Sequence, residues 1–330
     1  MDFDLSEDQR EIKNVAAEML SARSGLMHVR EAAEARAYDP GLWAEMCALG
    51  WPGIAVEEKH GGAGLGCVES VMILEEHGYA VAASPLVSTM QAVFMLQSAG
   101  SPDQQAAWVP RLATGEVRGA VGAVREDGAF VPDGADADVI VLLRGDQATV
   151  AERADLDVAP VETIDPTRRY ARVQGAGDPL PGDVAGGAGR AAIAVAAELV
   201  GISRRALDLS VAYANDRRQF DRAIGSFQAI SHPCAEMLLA TEGARSTTYF
   251  AAWSADADPP GLDRAAALAY STALPAATDV TTAAIQIHGG IGFTWEGDVH
   301  WLYKRAQLAP MQLGGPGAAR ARLITSRLAA

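Results

Sequence analysis

The segment from residue 213 to residue 230, YANDRRQFDRAIGSFQAI, has side chains that could bind a phosphorylated ligand. The guanidinium of Arg217 can place two N–H donors on a pair of pyrophosphate oxygens, and the amide of Gln219 can donate beside it. Phe220 would add an apolar wall. A lone arginine here would more often be a solvated helix end, so this interpretation depends on the whole segment. The densest group of positive charge in the chain lies in and just before it: Arg204, Arg205, Arg217, Arg218 and Arg222.

A second segment, residues 286–296 with the sequence QIHGGIGFTWE, also has residues that could bind such a ligand. Gly289 and Gly290 lack a Cβ atom, so a ligand can approach the backbone there, and the amide of Gln286 can hydrogen-bond a nucleoside or a facing backbone group. The alternative is that the two glycines only turn the chain between helices. His288 is predicted to have a structural role.

Helices must position both segments. Beyond Gly189, apolar residues such as Ile193, Ala197 and Val200 recur at the helical period and predict one long helix. Further helices are predicted at residues 227–253, 263–287 and 300–308, which together form a C-terminal four-helix bundle. Pro233 is expected to begin or kink a helix. Residues 1–118 are also predicted to be helical, beginning with a capping box at Ser6.

The residue pattern in the middle of the chain predicts a small β-sheet. Short β-branched runs bounded by Asp, Gly and Pro, such as residues 139–143, predict strands, and residues 168–173 predict one more. A Gly/Pro-rich connector is predicted over residues 175–189. The expected fold class is therefore mainly α with a small β domain. The expected domains are 1–118 (N-terminal helical), 119–188 (reduced β) and 189–330 (C-terminal helical bundle).

Composition narrows the possible partners and compartments. The chain has 27 Lys and Arg against 42 Asp and Glu, a formal charge of −15, which disfavours nucleic acid and anionic lipid as partners. No stretch approaches ~18 uninterrupted apolar residues, and the acidic first residues do not form a signal peptide. Cys47, Cys67 and Cys234 lack metal-ligand or disulfide spacing. We expect a cytoplasmic protein with no metal site and no nucleic-acid or membrane partner.

Taken together, the two segments closely resemble two motifs of the flavin-dependent acyl-CoA dehydrogenase family, in the same order and separation. Residues 5–9 and 49–51, with the glycine-rich loop at 61–66, resemble the family's N-terminal domain, so the resemblance covers nearly the whole chain. It implies that these segments bind the distal end of FAD. In relatives the motifs serve the FAD of a neighbouring subunit, so the site requires an oligomer. The implied cofactor-binding residues are Arg217, Gln219, Phe220, Gln286, Gly289 and Gly290.

The same resemblance places the reaction's base on a residue that cannot accept a proton. The family removes the α-proton of an acyl-CoA thioester with a glutamate while the flavin accepts hydride from the β-carbon. The commoner position of that glutamate corresponds to Leu313 here. The other family position falls near Arg190, Ala191 and Ala192. Glu198, two turns further along, is a weak candidate for a relocated base. Two other acidic residues correspond rather to the adenosine end of the site: Glu296 and Asp298.

The middle region also departs from the family. Full members have a threonine- and glycine-containing strand and loop that holds the flavin ring, whereas this chain has residues 124–128, VREDG, near that point. We expect that its own isoalloxazine pocket is lost. The resemblance then predicts the non-catalytic subunit of a hetero-oligomeric acyl-CoA dehydrogenase, which shares FAD with a homologous partner carrying the catalytic glutamate. An acyl-CoA substrate, such as a bulky thioester of steroid breakdown, and an electron acceptor are implied as well.

Three alternatives remain open on the sequence. The chain could be a self-sufficient homo-oligomeric dehydrogenase that uses Glu198. It could be a scaffold or regulatory homologue that binds no flavin. It could also catalyse a non-redox reaction of a CoA thioester on a repurposed fold.

Overall fold

The computed structural model describes residues 4–328, and its N-terminal part is helical as predicted. The first helix, α1 (Glu7–Arg23), begins with the expected capping box: the Gln9 backbone N–H donates to Ser6 Oγ at 3.1 Å, and the Ser6 N–H donates to Gln9 Oε1 at 3.0 Å. It is followed by α2 (Leu26–Ala35), α3 (Pro40–Ala48), α4 (Cys67–Tyr79), α5 (Leu86–Ala99) and α6 (Pro102–Ala113).

A seven-stranded sheet follows these helices. Its strands are β1 (Gly119–Arg125), β2 (Gly128–Val131), β3 (Val139–Arg144), β4 (Gln147–Glu152), β5 (Asp157–Pro160), β6 (Ala171–Gln174) and β7 (Asp178–Pro179). Their order in the sheet is β5-β6-β2-β1-β3-β4-β7, and β1 and β3 run parallel while the other neighbours are antiparallel. The predicted strand at residues 139–143 is confirmed.

Two predicted boundaries in this region are wrong. The strand expected at residues 168–173 starts only at Ala171, because the preceding backbone turns where the Thr167 N–H donates to Asp165 Oδ1 at 3.0 Å. The connector expected over residues 175–189 is shorter, because the next helix already begins at Val184. Asp183 caps that helix by accepting from the Gly186 N–H at 2.9 Å.

The C-terminal part is a helical bundle, which confirms the predicted fold class. Its helices are α7 (Val184–Asp216), α8 (Gln228–Ala257), α9 (Leu262–His288), α10 (Val299–Leu308) and α11 (Gly315–Leu328). The helix α11, which packs on α9, was not predicted. Pro233 lies in the second turn of α8 and does not begin that helix. A short hairpin, β8 (Arg218–Gln219) and β9 (Arg222–Ala223), joins α7 to α8.

The long helix α7 is the centre of the fold. It packs against α4, α5, α8 and α9, and its contact with α4 is close enough to exclude side chains. A Cβ atom on Gly201 would lie 1.9 Å from the Glu75 carbonyl oxygen, and one on Gly78 would lie 2.0 Å from the Glu198 carbonyl oxygen. By length and composition α7 could cross a membrane, but 89% of its most apolar window is buried inside this fold. That burial accounts for its apolar composition.

Candidate functional site

The two segments that the sequence predicts to bind a phosphorylated ligand lie side by side in the structure. One follows the C-terminus of α7 and the other follows the C-terminus of α9. The rings of Tyr213 and His288 join them, because they stack with their centroids 4.6 Å apart and their planes 20° from parallel. His288 also holds the end of α9 through its Nδ1 atom, 2.8 Å from the Ala284 carbonyl oxygen, and burial lowers its pKa. Helix packing thus brings together Tyr213 and His288, which are 75 positions apart in the sequence.

The β8–β9 hairpin projects its turn into solvent. Phe220 and Asp221 both have left-handed backbone conformations, with φ of 52° and 62°. Such a conformation costs about 1–2 kcal/mol for a residue with a Cβ atom, and the ring that it positions is 87% exposed. The Gln219 amide donates to the Arg218 carbonyl at 2.7 Å, beside this ring. A strained backbone that exposes a large apolar side chain is typical of a contact surface.

Arg217 and the double glycine leave room for a ligand. Within residues 4–328, the Arg217 side chain is exposed and forms no ion pair. Gly289 has φ of 62° and ψ of −135°, a conformation that favours glycine whatever binds there. A Cβ atom on Gly289 or Gly290 would meet nothing within 4 Å. The open space above Gly290 therefore fits the approach of a ligand to the backbone, and Gln286 lies just before it in the last turn of α9.

One small cavity lies between Leu313, which the resemblance places at one position of the catalytic base, and Ala192, one of the three residues that it places near the other. Leu313 and Ala192 both line it, and its volume is about 20 Å³. A cavity of this size holds roughly one water molecule and no acyl chain. Its polar side chain is Tyr270, whose hydroxyl donates to the Gln312 carbonyl at 2.8 Å. None of the lining side chains that the structure describes is a carboxylate: Leu143, Ala188, Gly189, Ala192, Ala266, Ala267, Tyr270, Leu313 and Ala319.

Glu198 does not face this cavity but lies in a buried ion-pair network. Arg168 Nη2 donates to its two carboxylate oxygens at 2.8 and 2.9 Å, and Arg305 Nη1 donates to Oε1 at 2.8 Å. Arg305 also pairs with Asp165, with Nε 2.7 Å from Oδ2. Burial acts to raise the pKa of Glu198, but the two guanidiniums outweigh it and hold that pKa below its ordinary value. A carboxylate stabilised in this way is a weak proton acceptor.

His77 completes this network as a neutral group. Its Nε2 lies 2.8 Å from Ser84 Oγ, and its Nδ1 lies 3.8 Å from Glu198 Oε1. Burial lowers the pKa of His77 to about 3. Sequence reasoning missed this network, because its members are single residues on α4, the β5–β6 connection, α7 and α10 with no shared motif.

The remaining acidic candidates lie near the start of α10. Asp298 Oδ1 accepts from Arg30 Nη2 at 3.0 Å, which ties this helix to α2. Glu296 is exposed, one residue after Trp295. In the middle region, residues 124–128 form the end of β1 and its turn into β2, and the ring of Phe130 stacks on Tyr170 with 4.7 Å between the centroids.

Comparison with known proteins covers nearly the whole chain. Residues 6–116 match the N-terminal domain of acyl-CoA dehydrogenases, and residues 185–329 match their C-terminal domain. The acyl-CoA dehydrogenase IpdE2 of Mycobacterium tuberculosis is 37% identical over 313 residues, which are 94% of each chain.

Solved structures agree with this match. A chain of the ChsE4-ChsE5 complex from Mycobacterium tuberculosis superposes with a TM-score of 0.87 at 25% identity, covering 100% of this chain and 99% of that one. A steroid acyl-CoA dehydrogenase described as the Tcur3481-Tcur3483 G363A variant superposes with a TM-score of 0.86 at 24% identity, covering 98% and 99%.

Proposed function

This chain belongs to the acyl-CoA dehydrogenase family, and on that premise we propose that it is the non-catalytic subunit of a hetero-oligomeric, FAD-dependent acyl-CoA dehydrogenase. A homologous partner supplies the catalytic glutamate and the flavin-ring pocket. This chain completes the FAD site of that partner. The assembled enzyme desaturates an acyl-CoA thioester between its α and β carbons and passes the electrons to a separate acceptor.

The observation that carries this proposal is the small apolar cavity beneath Leu313. α,β-Desaturation needs a carboxylate within reach of the α-carbon and space for the acyl chain. The cavity has a volume of about 20 Å³, Leu313 stands at one family position for the base, and Arg190, Ala191 and Ala192 lie near the other. Glu198, the remaining candidate, is held ionised by Arg168 and Arg305. A catalytic role for this chain alone would need both a new base and a new cavity.

The residues proposed to bind the distal end of FAD support the view that this chain still contributes to a cofactor site. Bound FAD would accept the hydride that leaves the β-carbon. Arg217 would bind its pyrophosphate with a guanidinium that is free among the residues described, while Gln219 would donate beside it and Phe220 would exclude water. Gln286 would hydrogen-bond the nucleoside, and the open space over Gly290 would admit it.

The partner and substrate are proposed by similarity. One structure that resembles this chain is a complex of two named proteins, ChsE4 and ChsE5, and another is described as a steroid enzyme. We propose a homologous partner subunit for this chain and a bulky CoA thioester, of the kind produced in steroid breakdown, as the substrate of the pair.

The direct test is the flavin content of the co-expressed complex with Arg217→Ala in this chain. Loss of a bidentate, charge-assisted contact should weaken FAD binding about tenfold or more. Flavin absorbance per complex, measured after gel filtration, reports it. Arg264→Ala, which removes an exposed arginine near the other end of α9, is the matched control and should retain flavin. Unchanged flavin content in Arg217→Ala would favour a flavin-free scaffold instead.

A further inference from the structure

A cavity apart from the proposed cofactor-binding residues lies where the C-terminal ends of α1 and α4 meet the C-terminal half of α7. Its volume is about 270 Å³, just below the range of drug-sized sites, so it suits a smaller molecule. Arg205 lines it, ~18 Å from Arg217 along the axis of α7. The fold thus separates Arg204 and Arg205 from the other members of the arginine-rich group. We call this site the Arg205 cavity.

Arg205 gives the cavity a positive charge that has no counter-ion in the described chain. Its Nη1 atom donates to the Tyr79 hydroxyl at 3.3 Å, and its guanidinium carbon lies 5.0 Å from the centroid of the Tyr79 ring. Its Nε atom is buried without an acceptor, and the side chain forms no ion pair with any residue from 4 to 328. Because this guanidinium is partly withdrawn from water, an anion bound in the cavity would stabilise it.

Glu76, the one carboxylate among the described residues of the cavity wall, is already paired. It is 4% exposed, and its Oε1 atom accepts from Arg204 Nη1 at 2.9 Å. Lys13 Nζ lies 3.7 Å from the same oxygen and 3.0 Å from Oε2 of the neighbouring Glu75. These two cations offset the two carboxylates, so the charge of Arg205 remains available to a ligand.

Ser24 adds a buried hydroxyl to the same wall. The residue ends α1 and is 4% exposed, and its Oγ atom has no hydrogen bond to any described residue. The hydroxyl of Ser21, one turn earlier, is also without a partner in residues 4–328. Buried polar side chains normally have a hydrogen-bond partner, and a hydroxyl can donate to an anion. The cavity therefore places hydroxyl donors in the same wall as an unpaired cation.

The rest of the wall is mainly apolar. Ala17 and Leu20 contribute from α1, and Leu26 contributes from the start of α2. The small side chain of Ala17 leaves space beside Leu20, which is itself 1% exposed. Transfer of alkyl groups from water to such a surface is favourable. A ligand that uses the whole cavity must combine an anionic head with a short apolar tail.

We infer that the Arg205 cavity binds a small carboxylate with a short alkyl tail, the carboxylate bound by Arg205 and Ser24 and the tail packed on Leu20 and Leu26. A carboxylate suits the site because a guanidinium can donate to its oxygens in one plane, and one negative charge matches one unpaired cation. The inference goes beyond the proposed function and does not depend on it, because binding is measured on this chain without flavin.

The test is isothermal titration of the full chain with hexanoate, its neutral analogue hexanamide, and acetate. We expect saturable binding of hexanoate. Acetate should bind at least about tenfold more weakly, because it lacks the tail. Arg205→Met should weaken hexanoate binding about tenfold and hexanamide binding less than about threefold, because only the contact with the charge is lost. Retained hexanamide binding also shows that this variant is folded.

Two further variants test the remaining contacts. Ser24→Ala should weaken hexanoate binding about threefold or more, because one hydrogen bond to the carboxylate is lost. Ala17→Leu should fill the space for the tail and weaken binding of both hexanoate and hexanamide about fivefold or more. The two variants thus distinguish the head of the ligand from its tail.

Matched controls lie outside the cavity. Arg264→Met removes an exposed arginine of α9, and Ala22→Leu places the same leucine on the exposed face of α1. Both should bind hexanoate as the wild type does. The inference is overturned if hexanoate does not bind, if hexanamide or acetate binds as tightly, or if Arg205→Met and Ala17→Leu leave its affinity unchanged. Loss of hexanoate binding in the complex with the homologous partner would also overturn it, because subunit packing would then close the cavity.

Discussion

At the scale of single residues, the environment of a carboxylate decides whether it can be a base. A general base works best when its pKa lies near the operating pH. Glu198 has the opposite environment, because two guanidiniums bind its oxygens and stabilise the charged form. Its position in the helix that includes one family base site suggested a relocated base. Its partners, more than a hundred positions away in the case of Arg305, indicate a structural role.

Glu198→Gln should therefore destabilise the fold. The substitution removes the carboxylate that pairs directly with Arg168 and leaves Arg305 paired with Asp165. Breaking a buried ion pair from one side costs roughly 3–5 kcal/mol. Urea unfolding would measure the loss. Glu162→Gln, at an exposed ion pair with Arg36, should change the free energy of unfolding by less than about 1 kcal/mol. Equal effects of the two substitutions would refute this role for Glu198.

The lowered pKa of His77 should make the free energy of unfolding depend on pH. The unfolded chain protonates this residue as the pH falls below about 6.5, whereas the folded protein does so only near pH 3. The unfolded state binds more protons in this interval, so the free energy of unfolding falls as the pH falls, by about 1.4 kcal/mol per pH unit for this one group. Urea unfolding of the wild type and His77→Gln, at pH values between about 6 and 4, tests this expectation. Identical slopes for the two proteins would contradict it.

At the scale of elements, the contact of α4 with α7 depends on two glycines. Gly201→Ala should push the helices apart, because its Cβ atom would lie 1.9 Å from the Glu75 carbonyl oxygen, and the strain should cost about 2 kcal/mol or more. Gly243→Ala on α8 is the matched control, because its Cβ atom would meet nothing within 4 Å. It should raise the stability of the isolated chain by up to about 1 kcal/mol. Thermal unfolding of both variants distinguishes a packing effect from helix propensity.

Elements with local signals could be predicted from the sequence. The capping box at Ser6 and the periodic apolar residues of α7 reflect interactions within a few residues, and the structure has both helices. The helix α11 was missed because it begins in a run of glycines and a proline, which are ordinary turn residues. Arg168 was predicted to lie in a strand. Its ion pair with Glu198 depends on tertiary packing, which the local sequence does not show.

The candidate site could be predicted only in part for the same reason. The residue types of its two segments are visible in the sequence, but the stacking of Tyr213 on His288 that joins them is not. Roles for Arg217, Gln286 and Leu313 stay predictions, as do the bounds of the three domains.

At the scale of the whole molecule, the account divides one enzyme site between two chains. This chain has a cavity of only about 20 Å³ at the position expected for the base, and an exposed surface at the residues proposed to bind the distal end of FAD. Those two features lie on separate parts of the bundle. A homo-oligomeric enzyme would need a usable base site and a cofactor-binding surface in every chain.

The number of FAD molecules per polypeptide tests this account most directly. It should be measured on the purified chain alone and on its complex with the homologous partner, together with reduction of an artificial acceptor by an acyl-CoA. The account predicts no flavin and no reduction for the chain alone, and one FAD for every two chains in an active complex. A yellow chain that desaturates an acyl-CoA without a partner would contradict it.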